Sequence, residues 1–452
     1  MCAFVTAMRE RTASAPDEHL RMSSAGTDDA VRRPAPLPVR HAYLTCAVIG
    51  LGGLFYGVTG PLLSAFIPPT VREILGDRRA AIGIVMAIDN VLLLLLVPLA
   101  GAASDRAAAR GKGRLRLVVP AYGLAAAGML LFPFAAASGM AGLILAMVVL
   151  YTGINMQRSP FHALLADSVP SSYRSVATGS VTFQMCVGAI VFLMLGRMLG
   201  LRPAFLIASG TVVVIAVTFA YAFRAPRQAT SQAGEASFAS LLDAVWSAVH
   251  GVIPGLRAIF LVSLLVQLMF QTFTTWYALH ATERFGLRPE DASIGFIAWA
   301  MGGALGALPA GFIGRRIGRR RAMALGFAAM AAVLVAADRV TAPAPMVPLL
   351  ALAAASWTLP SVNAYPLFVE PIPRERRGIL AAMFLLSMAL GGAVGDPLNG
   401  LLFDLFDGYR PLFLIMSAYT VLALVTVLAV PRGAGEAGTG PAELAQPSQL
   451  LT

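Results

Sequence analysis

The eighteen residues from Ile84 to Gly101, IVMAIDNVLLLLLVPLAG, set an acid and an amide, Asp89 and Asn90, inside a run otherwise suited to hydrocarbon. Either this is a core helix of a soluble domain, or it crosses a bilayer and the carboxylate has work there. Composition decides. Of 452 residues, 58% are hydrophobic and only 13% charged, whereas a soluble domain carries about 25% charged residues. A water-facing surface of normal size cannot be built from this chain, and a multi-pass α-helical membrane protein follows. With so few charges overall, the net charge of +11 points to a basic face held against anionic lipid rather than to nucleic acid.

A transmembrane helix needs roughly 20 apolar residues. Twelve such windows occur, near 42–67, 80–102, 117–137, 141–163, 176–198 and 203–223, then 257–280, 291–313, 322–338, 345–368, 378–402 and 409–430. The expected organisation is a disordered tail (1–40), a six-helix bundle (41–223), a linker (224–256), a second six-helix bundle (257–431) and a second tail (432–452). The first residues do not read as a signal peptide. With the N-terminus inside, 25 of the 34 Lys and Arg residues fall on the inner side and 9 on the outer. Both termini are therefore expected in the cytoplasm, with the chain in the cell's inner (plasma) membrane. In the linker, Phe238, Leu241, Leu242, Val245, Trp246 and Val249 recur at helical spacing. That predicts an amphipathic helix on the inner membrane surface or against the bundle's underside.

The halves repeat. PLAGAASDR (98–106) and LPAGFIGRR (308–316) each end a second helix, with Gly101 and Gly311 at matching places. Asp167-x-x-Pro170-x-x-x-Arg174 follows the fourth helix of the first half, and Glu370-x-x-Pro373-x-x-x-Arg377 follows that of the second. Two like-oriented halves related by an axis along the membrane normal form a transporter architecture.

Gly101-x-x-x-Asp105-Arg106 with the basic residues Arg110, Lys112, Arg114 and Arg116 resembles the loop 2–3 signature of the major facilitator superfamily. Gly311 with Arg315, Arg316 and Arg319–Arg321 resembles its second-half counterpart, although Arg315 stands where Asp105 stands. Within that superfamily, QRSPFHALLADSVPSSYRSVA and IDNVLLLLLVPLAGAASDR resemble the glycoside–pentoside–hexuronide cation symporters and their sucrose/proton relatives. Leu93 and Val97 occupy the positions where the sodium-coupled members carry cation-binding carboxylates, so sodium coupling is not expected. The resemblance implies that Gly101, Asp105, Arg106 and Gly311 help close the cytoplasmic side. The prolines turn the chain between acid and base, so Asp167, Arg174, Glu370 and Arg377 are expected to form charge pairs, within or between halves, that exist only when the cytoplasmic side is shut.

Asp89 lies about nine residues into a helix entering from outside, roughly 14 Å deep at 1.5 Å per residue. A charge at that depth is costly, faces a cavity and binds or relays something. Asp89 is the expected proton-coupling residue, with Asn90 beside it to orient it or to bind substrate hydroxyls. On the seventh span, Ser263, Gln267, Gln271 and Thr274 form one polar stripe whose uncharged amides and hydroxyls suit a sugar. Trp357 and Asn363 on the tenth span join the expected substrate site. Trp276 and Tyr277 read as interface-belt residues, Arg158 as a snorkelling or cavity arginine, and Asp396 as a lesser coupling candidate near the outer end of the eleventh span.

The scattered Cys2, Cys46 and Cys186 indicate neither disulfide framework nor metal site. No phosphate-binding loop or catalytic triad appears, so no cofactor is expected and the chain is not read as an enzyme. The resulting expectation is a monomeric secondary transporter of a small polar solute, sugar or glycoside, by proton symport. A proton-coupled exporter of the same fold is the rival, but it usually carries a Gly-Pro-x-x-Gly-Gly-like run on the fifth helix, and VTFQMCVGAIVFLMLG has no proline. A membrane sensor without transport is the rival of another class.

Overall fold

The computed structural model describes residues 39–170, 173–223, 246, 256–369 and 377–429. The described residues form fourteen α-helices and no strand: α1 (Val39–Leu75), α2 (Arg79–Met86), α3 (Ile88–Ala109), α4 (Leu115–Ala135), α5 (Gly139–Ser168), α6 (Arg174–Leu199), α7 (Leu201–Ala222), α8 (Leu256–Phe285), α9 (Pro289–Ile317), α10 (Arg319–Asp338), α11 (Pro343–Val369), α12 (Arg377–Ala393), α13 (Gly395–Leu405) and α14 (Leu412–Ala429). A lipid core offers no water to free backbone groups, so an all-helical answer is what this composition requires. Ten spans are long and apolar enough to cross a membrane, and α9 makes eleven despite a 46° bend at Pro309. The eleventh window is occupied by α12 and α13 together.

Two of the twelve windows are not single helices. The second span is α2 and α3, broken at Ala87, and the eleventh is α12 and α13, broken at Val394. Pro397 explains the second break: it lacks an N–H and its ring crowds the carbonyl four residues earlier. Nothing in the local residues breaks the helix at Ala87. There α2 leans onto α13, and the crossing is close because Gly83 faces the Asp396 carbonyl while Gly400 faces the Arg79 carbonyl. A side chain at either glycine would collide with backbone.

Both halves pack by the same scheme. The first span lies on the fifth as the seventh lies on the eleventh, the second on the fourth as the eighth on the tenth, and the third touches the fourth and sixth as the ninth touches the tenth and twelfth. Between the halves, the second span meets the eleventh and the fifth meets the eighth. The sequence repeat is therefore a repeat of packing. Apolar cores fill each half: Tyr122, Phe161, Phe205 and Phe219 are fully buried in the first, and Trp276, Phe327 and Phe403 in the second. Trp276 packs tilted against Phe403 and Tyr409, and Tyr277 stacks on Phe273 and meets Phe296 edge-on. The expectation that Trp276 and Tyr277 form an interface belt is corrected, because both rings fill the core of the second half.

Two ends of the bundle differ in charge. One end holds the arginine-rich connections 110–114 and 315–321 and is called the basic end. The opposite end holds Arg79, Glu283, Asp291, Asp404 and Asp407. The amphipathic stretch 238–249 lies outside the described residues except for Trp246, which is helical. Glu370 lies outside them too, and of Arg377 only the backbone, at the start of α12, is described.

Candidate functional site

The polar residues at mid-depth converge where the two halves meet. Asp89, half-buried in the first turn of α3, accepts a 2.8 Å hydrogen bond from Asn155 Nδ2 on α5. Asn155 also donates to the Tyr151 carbonyl one turn back, which fixes its amide. Arg158, one turn further along α5, lies within electrostatic reach of Asp89 and sits over the Tyr56 ring of α1 at 5.9 Å. Arg158 therefore carries its charge toward the interior, which decides against snorkelling.

From the second half, Asp396 at the start of α13 accepts from Gln271 Nε2 of α8 at 3.0 Å. Gln271 also donates to Thr275 at 3.3 Å. Asp396 is 0% exposed, and its Oδ1 has no hydrogen-bond partner. Asp89 acts electrostatically on Asp396, and both acids act on Tyr151 of α5. Sequence reasoning ranked Asp396 low for its distance from the middle of an unbroken helix. The break at Val394 turns its side chain into the interface, and the Gly391–Gly392 pair before Pro397 was the available signal.

Of the stripe on α8, Gln267, Gln271 and Thr274 are half-exposed while most of their neighbours are buried. Ser263 is buried. Trp357 of α11 stacks on Phe270 with centroids 5.5 Å apart and an interplanar angle of 16°, so it places an aromatic wall beside the stripe. Its indole Nε1 is buried without a partner. Two expected substrate contacts are corrected. Asn363 is buried, donating to the Ala310 and Leu359 carbonyls, and ties α11 to α9 against Gly314. Asn90, 5% exposed, packs its amide onto Gly392 of α12, where any side chain would collide with it. Asn90 thus joins the halves and does not line open space.

At the basic end, Arg114 is the organising residue. Its guanidinium reaches Asp105 at 2.6 Å, Asp167 at 2.7 Å and the Ser104 hydroxyl at 3.1 Å. Arg114 and Asp167 are almost fully buried, with side chains 4% and 6% exposed, while Asp105 is half-exposed. Burial works against the Arg114 charge, yet the hydrogen bonds to Asp167 and Asp105 outweigh it and leave its pKa raised. The expected Asp167–Arg174 pair is not formed here. Arg174 Nη2 donates to the Ala166 carbonyl, and Asp167 faces Arg114 instead. Arg106 donates to the Ala102 carbonyl and faces outward. Gly101 is buried, whereas a side-chain carbon added at Gly311 would meet open space in this conformation. In the second half, Arg320 donates to the Val427 and Leu428 carbonyls at the end of α14.

The opposite end is shut between the halves. Arg79, 9% exposed, lies 3.4 Å from Asp407, 3.8 Å from Asp404 and 3.9 Å from Glu283. The Asp404 carboxylate accepts from the backbone N–H groups of Arg79 and Ala80 at 3.2 and 2.9 Å, so the second half caps a helix of the first. Arg197 reaches Asp291 at 3.4 Å. Among the described residues, every ion pair joining the halves lies at this end. No group of three or more potential metal ligands occurs among them.

Two like-packed helical halves, closed at one end around paired acids and an uncharged polar stripe at mid-depth, define a membrane transporter rather than an enzyme. The sequence profile described as Major Facilitator Superfamily matches residues 49–288 and again 259–451, and the chain belongs to that superfamily. Solved structures share the fold at low identity. A point mutant of the nucleoside transporter NupG superposes with a TM-score of 0.69 at 14% identity, covering 86% of this chain and 99% of that one. A bacterial homolog of the human lysosomal transporter Spinster, inward-facing and occupied, gives 0.67 at 15% identity, covering 86% and 95%. Unmutated NupG gives 0.66 at 16%, covering 86% and 98%. No curated protein sequence matches this chain.

Proposed function

We propose that this chain is a proton-coupled secondary transporter that takes up a small, uncharged, polyhydroxylated solute, a sugar or glycoside. It would do so as a monomer in the cell's inner (plasma) membrane, with both termini in the cytoplasm. The basic end is then the cytoplasmic face, and the structure corresponds to an inward-facing state, since the cross-half ion pairs lie at the other end. The observation that carries the reading is the meeting of an acid–amide pair, Asp89–Asn155, with an amide and hydroxyl stripe on α8 at the contact of the two halves. Proton binding at Asp89 from outside, with solute held by Gln267, Gln271 and Thr274 against Trp357, would let the halves rock. Release of both toward the basic end would complete the cycle. Under this reading the Arg114–Asp105–Asp167 cluster and the Arg174, Glu370 and Arg377 charges hold the cytoplasmic side shut in the other state. The glycoside–pentoside–hexuronide branch remains the family-level expression of the same proposal. The low-identity structural neighbours support the fold alone.

A second reading, export of an amphipathic cation, is favoured by the stacked Trp357–Phe270 wall next to two acids. A thermal-shift screen of the purified protein separates the two, because a bound ligand stabilises by mass action. Sugars and glycosides raising the melting temperature support uptake. A response to lipophilic cations alone overturns the sugar reading in favour of export.

A further inference from the structure

Asp396 is a carboxyl with no counter-ion. It is fully buried at the break of the eleventh span, about 14 Å from the end of α13 at 1.5 Å per residue. The groups facing it can be named element by element. From α8 come the Gln271 amide, the Thr275 hydroxyl and the Trp276 indole N–H, from α5 the Tyr151 phenol, and from α3 a second acid, Asp89. The α2 helix presents the Gly83 backbone. Its charge, Arg79, faces Gly400 one turn nearer the end and is engaged with Asp404, Asp407 and Glu283. No Lys, Arg or His forms an ion pair with Asp396 among the described residues. By contrast, Asp89 has Arg158 within reach. An ionised carboxylate stripped of water and left without a cation is far costlier than the neutral acid. A neighbouring acid adds to that cost.

The partner's chemistry fits a group that changes charge. A carboxamide donates through its NH2 to a carboxylate, and after turning over accepts through its oxygen from a carboxylic O–H. An arginine partner would hold one state only. Gln271 is that carboxamide, and it belongs to the half-exposed stripe of α8. We propose that Asp396 is a second proton-binding site and that Gln271 transmits its protonation to the stripe, the amide orientation of this structure, NH2 toward the carboxyl, being that of the proton-free form. In the neutral form the Asp396 O–H donates to the turned Gln271 Oε1, and the Gln271 NH2 then faces the stripe. When the proton leaves, the NH2 is drawn back to the carboxylate and is lost to any solute. The pairs Asp89–Asn155 and Asp396–Gln271 thus place one acid–amide unit in each half.

Placing this switch at a solute site rests on the transport reading, but the proton site itself is testable without a solute. Infrared titration of the full-length protein in lipid nanodiscs reads the C=O stretch of a protonated carboxylic acid. The expected result is a band present at neutral pH that shifts down in D2O and is lost in Asp396→Asn. In Gln271→Leu the band should shift to higher frequency, because the carboxyl loses its hydrogen-bond partner. A band unchanged in Asp396→Asn, or none in the wild type until strongly acid pH, overturns the proton site. An unshifted band in Gln271→Leu overturns the transmission through Gln271. Failure to find any transported solute would defeat the transport reading and leave this band where it is.

Discussion

Asp89 and Asp396 each stand two residues after a helix break, at Ala87 and Val394, so each projects from a first turn. Their surroundings differ: Arg158 lies within electrostatic reach of Asp89, and among the described residues no Lys, Arg or His forms an ion pair with Asp396. Asp89 is thereby the acid better suited to ionise and reload on each cycle. Asp89→Asn is expected to abolish gradient-driven accumulation while leaving solute exchange or binding largely intact, measured in proteoliposomes with and without a pH gradient. Accumulation that persists with ordinary pH dependence would make Asp89 structural. Asp89 was legible in the sequence because one acid in an apolar run is conspicuous at any register. Asn90 and Asn363 were misread because sequence gives depth along a helix but not azimuth. Each sits at mid-depth or below, yet one points at Gly392 and the other at the Ala310 carbonyl. Arg158 pointed inward for the converse reason: the Tyr56 ring that receives it comes from another span.

Among the elements, the twelve apolar runs were readable because hydrocarbon thickness sets their length. The broken second span was not, because its kink comes from a crossing with α13 and from no residue of its own. The loop after α3 offered its basic residues equally to topology and to contact, and only packing selects Arg114 among them. The bond to Asp167 is buried on both sides, and breaking a buried pair by removing one partner costs about 3–5 kcal/mol. Arg114→Ala should therefore lower the detergent melting temperature clearly, whereas Arg110→Ala and Lys112→Ala, on exposed residues, should change it little. Adding Asp167→Asn to Arg114→Ala should recover part of the loss, since the stranded carboxylate becomes a neutral amide. Equal effects from all three single substitutions would show that the loop acts only through its net charge.

Among the described residues, the ion pairs that join the two halves lie at one end of the molecule. On the Lys and Arg distribution, reporter fusions at Gly111 and at the C-terminus should give a cytoplasmic signal and a fusion at Gly139 an external one; the reverse pattern would invert the inward-facing assignment. The end opposite the arginines is closed less by its ion pairs than by helix contact. The Arg79 guanidinium stands 3.4 Å or more from each acid and Asp407 is fully exposed, so these pairs are long and hold the end weakly. The Gly83–Gly400 crossing is different, because it exists only when α2 and α13 touch and leaves no room for a side chain. Gly400→Val places a branched side chain against the Arg79 carbonyl, and overpacking of this kind costs about 1–3 kcal/mol. That cost falls on the closed arrangement alone, so the balance between states should move by about tenfold toward opening at this end. A cysteine placed at Thr274 reads the shift: in the wild type a membrane-impermeant thiol reagent should reach it from the basic side. In Gly400→Val it should react faster from the opposite side and slower from the basic side. Arg79→Ala should move the same readout in the same direction but less. If Gly400→Val leaves both rates as in the wild type, the crossing is not the seal and closure rests on the Arg79 cluster after all.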